Sequence, residues 1–303
     1  MKDGYTPAEL KLPEGIIDMV LDTDTYNEVD DQFALCYALL SPERLNVQAV
    51  YAAPFFNSRS TGPEDGMVKS YNEIVRLLRI MHVEPEGFAL EGSRRYFTSM
   101  DDHVDSPAAR DLIARAMARP DGAEKLLVVA IGAITNVASA LRMEPRIAEK
   151  IHLLWLAGQP LHAPSAAEFN LSGDLLASRA IFESGVPLTL VPCTGVASHL
   201  LTSVPEMKAC IGGKNELCDT LINIFASYSD DHFAWAKEIW DVSTIARLLN
   251  PDWAPAVCVP RPHLSSDAHW CPDDSRAPMQ VVTEMHRNPI FRDLFTKLAA
   301  FNG

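Results

Sequence analysis

Ile16-Ile17-Asp18-Met19-Val20-Leu21-Asp22-Thr23-Asp24-Thr25-Tyr26-Asn27-Glu28-Val29-Asp30-Asp31-Gln32-Phe33-Ala34-Leu35 joins an apolar run to a helical pattern through an acidic connection. Its first part, Ile16 to Leu21, is an apolar run that reads as a buried strand. From Gln32 to Leu40 the apolar residues recur at helical spacing. Four aspartates and a glutamate therefore fall in one strand-to-helix connection. In an open α/β sheet such a connection lies at the carboxyl end of the strand, where ligands bind. So many carboxylates repel one another unless a cation or hydrogen bonds compensate. Hard carboxylate oxygens point to calcium or magnesium rather than zinc. A solvated acidic loop with a helix cap is the plainer alternative, since aspartate suits a helix start. It accounts less well for a cluster that abuts an apolar strand.

Outward from this stretch, strands and helices alternate. Val47–Ala53 reads as a second strand, Pro54–Gly66 as a loop, and Met67–Met81 as an amphipathic helix. Gly87–Leu90 is a short strand, Glu91–Asp105 a polar stretch, and Ala108–Arg119 a helix. Leu126–Gly132 is a continuous apolar run of the kind found in a parallel strand covered on both faces. Ile151–Ala157 and Pro187–Pro192 follow as strands, with a helix over Asp174–Ser184 between them. Leu217–Asn250 reads as mainly helical. Six prolines between Pro251 and Pro278 mark that segment as mostly loop. A last strand over Gln280–Met285 and a helix over Pro289–Phe301 complete the pattern. Repeated βα units with short connections predict an α/β fold: one domain over residues 1–303, with a doubly wound, mostly parallel central sheet flanked by helices.

Composition narrows the partners. The chain has 303 residues, 48% of them hydrophobic, which is ample for a large core. A net charge of −14 argues against nucleic acid or an anionic membrane surface. No apolar run reaches the roughly 18 residues of a membrane span, and Met1–Tyr5 lacks the apolar core of a signal peptide. A cytoplasmic protein is the resulting expectation. The six cysteines contain no C-x-x-C pair, so reduced and mostly buried thiols are expected.

The acidic stretch resembles the opening of the inosine–uridine-preferring nucleoside hydrolases, whose signature is D-x-D-x-x-x-D-D followed by a small-residue helix. Asp22, Asp24, Asp30 and Asp31 match its acids, although the connection from Asp24 to Asp30 is longer here and must bulge. Val129-Ala130-Ile131-Gly132-Ala133-Ile134-Thr135-Asn136 resembles the family's strand ending in G-x-L-T-N. The residue before the glycine, Ile131, then gives a backbone carbonyl to calcium. Read without the resemblance, this is a strand ending in a glycine turn that caps the next helix. Ala167-Glu168-Phe169-Asn170 resembles the family's A-E-F-N segment, whose acid and amide hold ribose hydroxyls; a polar loop capping the following helix is the alternative. His162 lies near the place of a further family asparagine, and no role is carried to it. Ile239-Trp240-Asp241-Val242 resembles the segment bearing the late aspartate that closes the calcium shell. An exposed aspartate paired with Lys237 is the competing reading of Asp241. Where many members have a histidine that protonates the leaving base, this chain has Trp240, as purine-specific relatives do.

The resemblance implies hydrolysis of the N-glycosidic bond of ribonucleosides by a calcium-dependent homodimer or homotetramer. It assigns metal binding to Asp24, Asp31, the Ile131 carbonyl and Asp241, with Asp24 also the general base. Asp22 braces the loop. Asp30, Glu168, Asn170 and Trp240 take the substrate, Trp240 by stacking on a purine. A second aromatic wall would come from Tyr96, Phe97, Tyr228, His232 or Trp235. Two other readings compete. A nucleoside or ribose binder on the same scaffold would lack turnover. A magnesium-dependent phosphatase of the haloacid-dehalogenase type would use Asp22-Thr23-Asp24-Thr25, but Tyr26 breaks its motif and no G-D-x-x-x-D follows.

Overall fold

The acidic connection emerges from the centre of an eight-stranded sheet in the computed structural model, which describes residues 10–302. The Met1–Tyr5 segment lies outside the described residues. The first half of the chain runs β1 (Ile17–Thr23), α1 (Asp31–Leu39), β2 (Leu45–Ala52), α2 (Pro63–Ile80), β3 (Ala89–Glu91), α3 (Pro107–Ala118), β4 (Leu126–Ala130), α4 (Thr135–Met143) and β5 (Ile151–Leu156). It continues through α5 (Phe169–Gly173), α6 (Leu175–Glu183), β6 (Leu188–Val191), β7 (Leu201–Thr202), α7 (Val204–Ile211), α8 (Glu216–Ala226), β8 (Lys237–Glu238) and α9 (Val242–Leu249). The remainder is β9 (Ala256–Pro260), β10 (His263–Leu264), β11 (Trp270–Cys271), β12 (Pro278–Val282) and α10 (Arg287–Ala300).

The large sheet has the order β3-β2-β1-β4-β5-β6-β12-β9. Its pairs are parallel except for β9, which runs antiparallel to β12. From β1 the chain winds outward to β2 and β3, then returns to the other side of β1 as β4. The order of the strands reverses at β1 and β4, and a crevice opens at their carboxyl ends. Asp22 pairs with Ala130 across that junction, and the Ile131 N–H donates to the Asp22 carbonyl at 2.9 Å.

Helices cover both faces. Phe33, Leu77, Met207, Leu221, Ile245 and Leu294 belong to the core on one side, and Leu112, Val137 and Ile181 to the core on the other. Helix α1 is buried from Asp31 to Ala38, as expected of a helix wedged between the sheet and its neighbours. Burial of Phe33 and Leu35 contributes roughly 1.5–3 kcal/mol each, which helps to hold two acids at the head of this helix away from bulk water.

Three predicted spans change. The Leu217–Asn250 segment contains only α8 and α9 as helices, separated by irregular chain and the short β8. Ser229 Oγ donates to the Asp231 carbonyl at 2.9 Å and Asp231 Oδ1 accepts from Phe233 N at 2.9 Å. Such local bonds compete with a helix, and Ala234 adopts a left-handed φ of 52°. The proline-rich segment contains β9, whose Pro260 and partner Pro278 lie at strand ends, where a missing N–H is tolerated. Helix α2 also begins earlier than the periodicity predicts, with Pro63 in its first turn. All six cysteines are free, but Cys210, Cys258 and Cys271 are exposed, so only half are buried. Among the described residues no helix is long and apolar enough to cross a membrane.

Candidate active site

Three elements bring the acids together. The end of β1 carries Asp22 with Asp24 just after it, α1 starts at Asp31 with Asp30 as its cap, and the residue before α9 is Asp241. All five are buried, with exposures of 0 to 4%. Carboxylate oxygens of Asp30, Asp31 and Asp241 lie within 4.8 Å of one another. The amino-terminal ends of α1 and α9 both meet this cluster, and their positive ends offset part of its charge.

Each acid has a different environment. Asp22 Oδ1 accepts from Asn136 Nδ2 at 2.7 Å, which braces the end of β1, while Oδ2 has no partner. Asp31 Oδ1 accepts from Thr23 Oγ1 at 2.5 Å, and that hydroxyl also meets Thr25 Oγ1 at 2.9 Å. Asp30 Oδ2 accepts from the Asp241 N–H at 3.3 Å. Both Asp24 oxygens are buried without any hydrogen-bond partner. A Cβ on Gly132 would lie 3.0 Å from Asp24 Cγ, so glycine here lets this carboxyl group sit without being displaced.

Burial, aided by neighbouring carboxylates, pushes Asp24, Asp30 and Asp241 well above the usual carboxylate range. Burial also raises Asp31 to about 6 and Asp22 to about 7. Ionising this cluster without a counter-charge is costly. The Ile131 carbonyl adds a neutral oxygen to the same crevice. It accepts from Asn170 Nδ2 at 3.2 Å, leaving a second lone pair free. An all-oxygen donor set with orphaned carboxylate oxygens fits a hard divalent cation such as calcium.

The cluster opens into a cleft of about 550 Å³ whose lining includes Asp30, Asp31, Ile131, Glu168, Asn170, Trp240 and Asp241. Asp24, fully buried, is neither among the residues lining the cleft nor part of the Asp30–Asp31–Asp241 group. Glu168 caps α5: Oε1 accepts from Asn170 N at 3.0 Å, and Oε2 from Gly158 N at 2.9 Å and Leu171 N at 3.2 Å. The two N–H bonds of the Asn170 amide go to the Ile131 and Leu156 carbonyls, leaving its oxygen for a ligand. Asp174 accepts from Phe97 N, Thr135 Oγ1 and Ala177 N.

The aromatic wall consists of Phe169, Tyr228 and Trp240. Of the predicted partners for Trp240, only Tyr228 reaches the cleft. Trp235 stacks behind it, with ring centres 6.4 Å apart, and Phe97 is buried in the core. His162 lines a separate apolar hollow. Lys237 neither lies on a helix nor pairs with Asp241. It sits on β8 and meets Glu28 at 2.6 Å. Burial alone would depress this amine, but Asp30 and Glu28 outweigh it and raise its pKa.

Several cleft residues escape sequence reading: Asn57, Ser58, Arg59, Gln159 and Thr194. They lie on irregular segments with no periodicity. Thr23, bonded to Asp31, was visible within the acidic stretch but carried no signal of its own.

The chain matches the profile of a family described as inosine-uridine preferring nucleoside hydrolase over residues 64–290. That match begins after Asp22–Asp31. The chain is 28% identical over 162 residues to the putative pyrimidine-specific ribonucleoside hydrolase RihB of Shigella boydii, covering 52% of this chain and 66% of that protein. It has the same identity to the pyrimidine-specific RihB of Escherichia coli, covering 51% of that protein. The chain thus spans less than two-thirds of the length of these curated relatives. The fold resembles the purine-preferring ribonucleoside hydrolase from Gardnerella vaginalis, with TM-score 0.73, 19% identity, and 94% and 98% of the two chains covered. It also resembles an inosine-guanosine nucleoside hydrolase, with TM-score 0.71, 14% identity, and 95% and 100% covered.

Proposed function

Because the chain belongs to the inosine-uridine preferring nucleoside hydrolase family, we propose that it hydrolyses the N-glycosidic bond of ribonucleosides to free base and ribose. The observation that carries this reading is the buried acid cluster at the switch point, opening beneath an aromatic-walled cleft. We take residues 1–303 as one catalytic domain, assembled as a homodimer or homotetramer.

Asp24, Asp31, Asp241 and the Ile131 carbonyl would hold calcium. When bound, the cation lowers the pKa of a water and orients the ribose hydroxyls. Asp24 takes the proton of the attacking water on a carboxylate oxygen. Both its oxygens lack protein donors, so one is free for the cation and the other for the proton. Asp30 accepts from a ribose hydroxyl with the oxygen not turned to Asp241. Asn170 also accepts, since its donors are occupied. Glu168 retains lone pairs beyond its backbone bonds. As the bond breaks, positive charge develops on the ribose, and the surrounding acids stabilise it.

Trp240 and Tyr228 offer wide faces to a base, which favours purines because they present more surface. The pyrimidine-specific names of the RihB relatives favour the opposite preference. Incubation with a panel of ribonucleosides and calcium, followed by assay of free base and reducing sugar, tests the proposal. Release of both is expected. Binding without release would leave a nucleoside binder, and phosphate release from phosphomonoesters would revive the phosphatase reading.

A further inference from the structure

The lengthened connection between Asp24 and Asp30 has a built partner in the adjoining 57–59 loop, which lines the same cleft. Asn57 Nδ2 donates to Asn27 Oδ1 at 2.6 Å and to the Asn27 carbonyl at 3.2 Å. Arg59 Nη1 donates to the Glu28 carbonyl at 2.9 Å. Asn57 Oδ1 accepts from Arg59 N at 2.8 Å, and the Arg59 carbonyl accepts from Lys69 Nζ at 2.8 Å. Asn27 and Glu28 thus fasten the 57–59 loop at the rim.

This loop brings a guanidinium to an otherwise acidic cleft. The Glu28 carboxylate is already taken by Lys237, at 2.6 Å, so it does not neutralise Arg59. Arg59 makes no ion pair among the described residues. Its Cζ lies 6.0 Å from the centre of the Tyr228 ring, which also receives Lys237 Nζ at 4.4 Å. Arg59 is therefore half-buried, charged and held at its backbone, with N–H bonds left over beyond the one given to Glu28.

Resting on the hydrolase reading above, we infer that Arg59 holds the departing base by donating hydrogen bonds to its acceptor atoms. The need is chemical. The bond between C1′ and the base nitrogen breaks with its electron pair going to the base. Water oxygen bonds to C1′, and its proton goes to Asp24. The negative charge on the base spreads to ring and carbonyl acceptors. Trp240 has only a weakly acidic N–H to offer, whereas a guanidinium stabilises such charge without giving up a proton. The departing base is protonated afterwards by solvent. A guanidinium fork fits the O6 and N7 acceptors of a 6-oxopurine. A 6-aminopurine sets a donor against it. The subsite therefore favours oxo-bases over their amino counterparts.

The test compares wild type with Arg59→Gln and Arg59→Lys on inosine, adenosine and p-nitrophenyl β-D-ribofuranoside, whose leaving group departs unaided. Arg59→Gln should lose roughly 10- to 100-fold in kcat on inosine, the scale of a charged hydrogen bond. It should lose less on adenosine and little on the nitrophenyl riboside, with Arg59→Lys partly restoring inosine. Equal losses on all three substrates, or no loss, overturn the inference. Calorimetric titration with hypoxanthine alone gives a readout independent of turnover. Weaker binding by Arg59→Gln supports the subsite, and unchanged binding overturns it. If wild type releases no base from any nucleoside, the hydrolase reading fails, while the hypoxanthine titration still decides the role of Arg59.

Discussion

The Asp241 backbone N–H donates to Asp30 Oδ2 at 3.3 Å across 211 positions of sequence. This bond joins the heads of α1 and α9 and brings two raised, buried acids into the lining of the cleft. It also distinguishes Asp30 from its neighbours: one of its oxygens is committed to the protein, whereas neither oxygen of Asp24 is.

That difference predicts a division of labour. Asp24→Ala should lower kcat by at least the roughly 10²–10⁴-fold of a missing general base. Asp31→Asn should chiefly weaken calcium binding, and Asp30→Ala should chiefly raise KM. Steady-state kinetics with calcium titration checks all three. An Asp24→Ala variant at full rate, beside a dead Asp30→Ala, would reverse the assignments.

Gly132→Ala should act through Asp24. The added Cβ would meet Asp24 Cγ at 3.0 Å and Ala53 Cβ at 3.2 Å, so the carboxyl group must shift. The shift needed is a few tenths of an ångström, so the loss in rate should stay below the ~10²-fold that a displacement of about 1 Å costs. Melting temperature and kcat should therefore separate, the second falling far more than the first. A normal rate would show that Asp24 tolerates displacement.

One calcium per chain is expected. Its loss by chelation should abolish turnover, and its addition should raise Tm, because it relieves repulsion among Asp24, Asp30, Asp31 and Asp241. Zinc in the purified protein, or full activity after exhaustive chelation, contradicts the oxygen-only donor set.

Trp240→Ala should reduce kcat/KM more for purine than for pyrimidine nucleosides, since stacking contributes about 1–3 kcal/mol and a purine offers more face. Side-by-side assays with inosine and uridine check it. An equal loss for both, with a lower Tm, would make Trp240 a packing residue.

Acid stability carries a separate signature at His152, remote from the chemistry. Its Nε2 lies 2.9 Å from Thr189 Oγ1, and burial lowers its pKa from 6.5 to about 3. The unfolded chain gains this proton near pH 6.5, but the native chain only near 3. The stability contributed by neutral His152 is therefore full above about pH 6.5 and is lost as pH falls towards 3. His152→Gln should flatten the fall in Tm across that window relative to wild type. Parallel curves would show that His152 does not contribute.

Much of the fold was legible because its signals are local. Leu126–Ala130 is apolar on every residue because a parallel strand is covered on both faces, and the alternation with helices implied the doubly wound sheet. Leu217–Asn250 departs from its helical reading between α8 and α9, where side-chain bonds at Ser229 and Asp231 prevail.

The parallel sheet, the strand end at which the acids emerge, and the oxygen-rich chemistry of that end follow from the chain's local patterns, since strand and helix periods and residue chemistry are local properties. Packing in three dimensions set the rest. It joined Asp241 to Asp30, left both Asp24 oxygens without donors, committed the Asn170 amide to two carbonyls, paired Lys237 with Glu28 rather than Asp241, and brought Arg59 over the cleft. Those relations depend on which loops meet when the helices pack, and contacts between segments distant in sequence leave no periodic trace in a single chain.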